Sequence, residues 1–176
     1  MTRIIDEVPG LYKIIEFEAF RKTEGVTFDM IPVELFSSID SIDRVLHKHN
    51  AVSPSAVGQV KKPWYMHPYQ EDNLIVLQGV RYVDIYSVEH GKVESFVVGP
   101  NSVFKNAELV AQGSFMLVWP KNVFHRIQSG EEGSASINIA VHAEGFDIKT
   151  NFSIYDLDVE TGEFHVIRAG FLDQTT

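Results

Sequence analysis

The chain contains no cysteine. That absence excludes disulfide frameworks, zinc–thiolate centres and thiolate nucleophiles. It also lacks any apolar run near the roughly 20 residues that a membrane-spanning helix needs, so no membrane partner is expected. The first ten residues place acids where a signal peptide would have its apolar run. Basic residues are outnumbered, 15 Lys and Arg against 24 Asp and Glu, for a formal charge of -9. An acidic surface repels phosphate backbones, which argues against nucleic acid as a partner. What remains is an ordinary globular composition, 44% hydrophobic and 22% charged over 176 residues. A chain of this size suits one domain (1–176) with a substantial core. A soluble, cytoplasmic protein is the expectation, although missing cysteine alone fits the periplasm as well.

Strand signals dominate. Residues 11–20 and 26–36 are rich in β-formers, and Pro32 in the second run suits an edge or a bulge. Residues 1–36 are therefore expected to form outer strands with open edges, which favours pairing into a homodimer. One helix is predicted over 37–49. Ser37 or Ser38 would cap it, Ile39, Ile42, Val45 and Leu46 would share its apolar face, and His47, Lys48 and His49 would meet its carbonyl end. A Ser/Pro/Gly/Lys loop follows over 51–63. From residue 64 onward short strands alternate with turns, at Glu89-His90-Gly91-Lys92, Gly99-Pro100, Gln112-Gly113 and 158–162. This rhythm predicts an all-β, antiparallel jelly-roll barrel with one short helix, its core over 58–142 and its C-terminal strands over 143–176.

Two stretches carry chemistry. Residues 64–79, W-Y-M-H-P-Y-Q-E-D-N-L-I-V-L-Q-G, set an imidazole and two carboxylates ahead of an apolar strand. Residues 114–129, S-F-M-L-V-W-P-K-N-V-F-H-R-I-Q-S, run through a turn at Pro120 and Asn122 into a strand bearing His125. Side chains alternate faces along a strand, so Tyr65 and His67 point the same way. Asp72 shares a face with Leu74 and Val76, whereas Glu71 shares one with Asn73 and Ile75. His125 lies with Val123 and Ile127, and Arg126 faces away. Two imidazoles and a carboxylate on one wall are a ligand set for a divalent metal with open positions. They could equally be a metal-free pocket in which a histidine serves as general base, or buried groups that hold a loop.

These stretches resemble the two motifs of the cupin superfamily. The first motif of that family reads His-x-His, three or four residues, Glu, six residues, Gly. Here the matching positions are Tyr65-Met66-His67, four residues, Asp72, six residues and Gly79. The second reads Gly, five residues, Pro-x-Gly, two residues, His, three residues, Asn. Here Gly113 is followed after six residues by Pro120-Lys121-Asn122, then His125 and Ser129. Asn122 keeps the turn chemistry of the missing glycine, because asparagine tolerates positive φ. The resemblance implies a jelly-roll barrel whose motif residues hold iron, manganese, nickel or zinc. It assigns His67, Asp72 (or Glu71) and His125 as ligands, with Tyr65 replacing the first histidine.

Length and the strand V-R-Y-V-D-I-Y-S-V are also similar to the dTDP-sugar epimerase and isomerase branch of these barrels, which works without a metal through a histidine base and a tyrosine acid. That branch implies catalytic roles for Tyr65, His67 and His125, although its base falls at the position of Tyr65. It also expects phosphate-binding arginines, for which Arg81 and Arg126 are the nearest. Three functions therefore stay open: a metal-dependent small-molecule enzyme, a metal-independent sugar-nucleotide epimerase, and a ligand-binding module without turnover.

Overall fold

A computed structural model describes residues 3–175. The chain opens with β1 (Arg3–Val8), β2 (Tyr12–Glu16), β3 (Glu18–Thr23) and β4 (Val26–Met30). Next come β5 (Ser41–His47), β6 (Val52–Ser53), β7 (Trp64–Met66), the long β8 (Gln70–Tyr86) and β9 (Glu94–Val98). β10 (Ser102–Lys105), β11 (Glu108–Gln112), β12 (Phe115–Trp119) and the long β13 (Phe124–His142) complete the barrel. A four-residue helix, α1 (Ile148–Asn151), leads into β14 (Ile154–Leu157) and β15 (Phe164–Arg168). Every ladder is antiparallel. The fold is the expected all-β jelly-roll barrel. Among the described residues no helix is long and apolar enough to cross a membrane.

The 13-stranded sheet is organised around β8 and β13, which pair with each other from Phe124↔Tyr86 to His142↔Gln70. Their ladder breaks between Ser129 and Ser134 and again between Ala135 and Ser136. Gly79 and Gly133 meet at this bend, with φ of 73° and 76°. A Cβ on Gly79 would run into the Gly133 carbonyl oxygen, and one on Gly133 into that of His47. Only glycine lets these backbones come so close at positive φ. Beyond the bend, β8 exchanges β12 as a neighbour for β9. One strand thus serves two walls.

The barrel interior is filled by Tyr12, Ile14, Leu74, Val76, Val83, Ile85, Phe96, Leu117, Trp119 and Val123, among others. Complete burial of each such side chain contributes about 1.5–3 kcal/mol. A second cluster, Ile15, Ile75, Met116, Val118 and Ile139, lies on the outer face, where Phe17, Ile31 and Phe36 partly cover it. Burial on both faces explains why 74–76 and 115–119 read as unbroken apolar runs instead of alternating, whereas Leu77 is exposed.

Two expectations change here. Residues 37–49 are not helical: Ser41–His47 is β5, paired with β13 from Ser134↔His47 to Ala140↔Ser41. Ser41, Asp43, Val45 and His47 are half-buried while Ile42, Arg44 and Leu46 are more exposed, a period of two that the helical spacing of the isoleucines masked. The one short helix is α1, and its cap is Asp147, whose side chain accepts from the Lys149 amide. The outer-strand expectation for 1–36 holds for β1, which ends the main sheet, and for β3 and β4, which form a separate, exposed hairpin. β2 lies inside the sheet, between β1 and β12.

Candidate metal and ligand site

β7, β8 and β13 deliver three side chains to one point. Cross-strand pairing sets His125 opposite Tyr65, and the alternation of β7 carries over to His67, just beyond its end. The His67 and His125 ring centroids are 4.7 Å apart, and the Tyr65 ring lies 6.1 and 6.0 Å from them. Asp72 enters from β8. Its Oδ2 is 3.5 Å from His67 Nε2 and 4.0 Å from His125 Nε2. The ligand-type atoms of His67, Asp72 and His125 all fall within 4.8 Å of one another, and all three residues are buried. The carboxylate that faces the imidazoles is Asp72; Glu71 is only half-buried and sits by Asn73.

The hydrogen bonds around this cluster orient its rings. His67 Nδ1 donates to the Asn151 carbonyl at 2.7 Å, and His125 Nδ1 to the Val123 carbonyl at 3.2 Å. A carbonyl only accepts, so each ring carries an N–H at Nδ1 and turns its Nε2 toward Asp72. Asp72 is held in turn by three donors. Gln70 Nε2 and Asn138 Nδ2 each reach Oδ1 at 2.7 Å, and Trp119 Nε1 reaches Oδ2 at 3.0 Å. Gln70 is itself tied to Asn151 Nδ2, which links the carboxylate to the helix that positions His67. Burial pushes His125 down to about 4; the His67 ring acts the same way, while Asp72 and the Val123 carbonyl oppose it. At neutral pH His125 is therefore uncharged. Burial raises the Tyr65 phenol, with the hydrogen bond to Ser53 working against it.

The three groups line a cavity of about 230 Å³ together with Asp43, His47, Tyr65, Arg81 and Phe152, among others. Arg126 points out of the barrel, as its parity requires, stacking over Trp64 and pairing with Asp84 at 2.9 Å. His90, in the turn read from sequence, is bonded to buried Glu94 at 2.9 Å. Sequence reasoning missed four contributors. Gln70, Asn138 and Trp119 hold Asp72; Gln70 shares the parity of Asp72 on β8, whereas the placement of Asn138 and Trp119 is visible only after pairing. His47 was hidden by the helical reading of its strand.

No family model matches the chain, and no curated protein matches its sequence. Solved structures do match its fold. A dTDP-4-dehydrorhamnose 3,5-epimerase from Bacillus anthracis, solved with TDP and PPi bound, superposes with a TM-score of 0.60 at 11% identity, covering 82% of this chain and 80% of that one. The corresponding enzyme from Elizabethkingia anophelis gives 0.59 at 13%, covering 86% and 79%. A sugar 3,4-ketoisomerase from Thermoanaerobacterium thermosaccharolyticum, in complex with TDP, gives 0.52 at 12%, covering 77% and 82%. The chain thus has the cupin barrel seen in dTDP-sugar epimerases and isomerases. At such identities the likeness is one of fold.

Proposed function

We propose that the protein is a small-molecule-binding barrel in which His67, Asp72 and His125 hold a divalent metal ion of the iron, manganese, nickel or zinc kind. The observation behind this reading is the convergence of two imidazole Nε2 atoms and one carboxylate oxygen within 4.8 Å of one another. Such a group of acceptors repels itself unless a positive charge occupies its centre. The donor set fits a first-row divalent ion. Ligand atoms bound at about 2.1 Å stand about 3–3.5 Å apart, close to the 3.5 and 4.0 Å found here. The backbone carbonyls of Asn151 and Val123 would orient the rings as supporting hydrogen bonds do in metal sites. When bound, the ion would supply Lewis-acid polarisation of a ligand oxygen. Tyr65, its hydroxyl kept protonated at neutral pH by burial, offers a hydrogen bond beside the two rings.

A second reading has its own support. The 3.5 Å approach of His67 to Asp72 would suit a histidine base that shares a proton with a carboxylate, with Tyr65 as acid. The structural likeness to sugar epimerases favours this metal-free alternative. Elemental analysis of purified protein separates the two. Stoichiometric metal that disappears in His67→Ala supports the first reading. Metal-free protein that turns over a TDP-linked 4-keto sugar supports the second, and a protein with neither property overturns both.

The proposal includes a homodimer. The β3–β4 hairpin pairs with no strand of the main sheet, yet Phe20, Phe28 and Met30 on it are exposed. A lone two-stranded hairpin is marginal in water, and a second copy of the chain would give it a third strand or an apolar cover.

A further inference from the structure

Arg81 is buried to 1% exposure, and it lines the same cavity as His67, Asp72 and His125. Its Nε donates to Ser134 Oγ at 2.9 Å, and one terminal nitrogen donates to the Val45 carbonyl at 3.1 Å. Both acceptors are neutral. Among the described residues no carboxylate forms an ion pair with this guanidinium. Asp43 also lines the cavity, but its recorded partner is the Ser41 hydroxyl. Burial alone lowers Arg81 to about 10, so it stays protonated at neutral pH. Buried charges in proteins are paired as a rule, and this one lacks an anion.

His47 stands beside it. Its ring is held near 4 by burial and by the Arg81 charge, which leaves it neutral. Its Nδ1 is buried without a hydrogen-bond partner among the described residues. A guanidinium and an imidazole that can donate one N–H therefore share a wall and have no acceptor between them.

We infer that the cavity takes a small organic acid, its carboxylate seated on Arg81 and His47 and the rest of the molecule directed toward His67, Asp72 and His125. Charge decides for a carboxylate over a phosphate. The cavity already holds the Asp72 carboxylate, so a phosphate, which would bury most of a further negative charge, is the less favoured anion. The guanidinium fork also matches a carboxylate in two parallel hydrogen bonds. Size points the same way: about 230 Å³ is below the roughly 300–1,000 Å³ of pockets for drug-sized ligands and suits a small acid. The inference rests on this cavity being the ligand site and does not require the metal.

The test follows the Arg81 Nε–H signal by NMR in the full-length protein, both as purified and after EDTA treatment. Acetate and inorganic phosphate are titrated at constant ionic strength against chloride, and Arg81→Gln assigns the signal. If that variant fails to fold, Arg81→Lys provides the assignment. Acetate is expected to move the signal saturably where chloride does not, and to do so with metal present or removed. An Arg81 signal that acetate leaves unmoved overturns the inference, as does tighter binding of phosphate than of acetate. Saturable acetate binding to a protein that never held metal would sustain the inference while the metal reading fell.

Discussion

Replacing Asp72 by asparagine tests the centre of the site with one oxygen-to-nitrogen change. Asp72 accepts from Gln70 and Asn138 at Oδ1 and from Trp119 at Oδ2, and its side chain is 4% exposed. An amide has only one oxygen. Turned toward Gln70 and Asn138, it sets its NH2 against the Trp119 N–H; turned the other way, it sets two donors against its own. Either orientation strands at least one buried donor, at about 1–3 kcal/mol. The bonds that remain lose their charge assistance and with it roughly half their strength. Relief from burying a carboxylate offsets part of this. A net destabilisation of about 1–4 kcal/mol lowers Tm by roughly 2–4 °C per kcal/mol in a chain of this length. Metal affinity should fall by more than the roughly 10–100-fold typical of losing a supporting partner, because a charged ligand is lost. Scanning calorimetry with and without EDTA reads the first quantity, and metal titration of EDTA-treated protein the second. An Asp72→Asn variant with native Tm and native metal affinity would refute the role given to this carboxylate.

Three further outcomes are expected. Burial would raise Glu94, but hydrogen bonds from Asn106, His90 and Lys92, with the charge of Lys105, more than offset it and hold the group at about 2. The unfolded chain then binds this proton more tightly, so the contribution is complete above pH 4.5 and fades toward pH 2, reaching roughly 2–4 kcal/mol. Urea titrations of wild type and Glu94→Gln should differ most at neutral pH and converge near pH 2; a gap that ignores pH would contradict the assignment. Gly79→Ala forces a left-handed backbone, at about 1–2 kcal/mol, and drives a methyl into the Gly133 carbonyl. Thermal melts should fall by at least about 4 °C, and an unchanged melt would show that the bend can relax. Sedimentation should report a dimer that Phe20→Ser with Phe28→Ser converts to monomer, and a wild-type monomer at micromolar concentration would dismiss the hairpin's proposed role.

The residues that could be placed from sequence were those governed by alternation within one short strand. Tyr65 with His67, and His125 with Val123, follow from parity, and the glycine and Pro-Asn turns that delimit their strands are local. Asp72 and Glu71 stayed alternatives, because apolar residues share a face with each, Leu74 and Val76 with one and Ile75 with the other; only the folded strand turns Asp72 to the imidazoles. Segments whose conformation is set by a distant partner were not legible. Ser41–His47 becomes a strand because residues 134–140 bind it, and nothing in its immediate neighbourhood announces a ladder that far away; the local spacing of Ile39, Ile42, Val45 and Leu46 suits a helix just as well. Arg81 was obscured for a related reason. Val76 and Arg81 both end up buried although they differ in parity, because the irregular ladder between them resets the count. Counting through Gly79 sends Arg81 to the wrong side.

That interruption has a consequence for selectivity. Asp72 and Arg81 hang from a single strand, one on each side of Gly79, so the gap between these two cavity-lining groups is set by how sharply β8 folds over at that glycine. The barrel works as a caliper whose hinge is the contact between Gly79 and Gly133. A relative with one more or one fewer residue in this crease would grip a molecule of different length, even with every chemical group at the site unchanged.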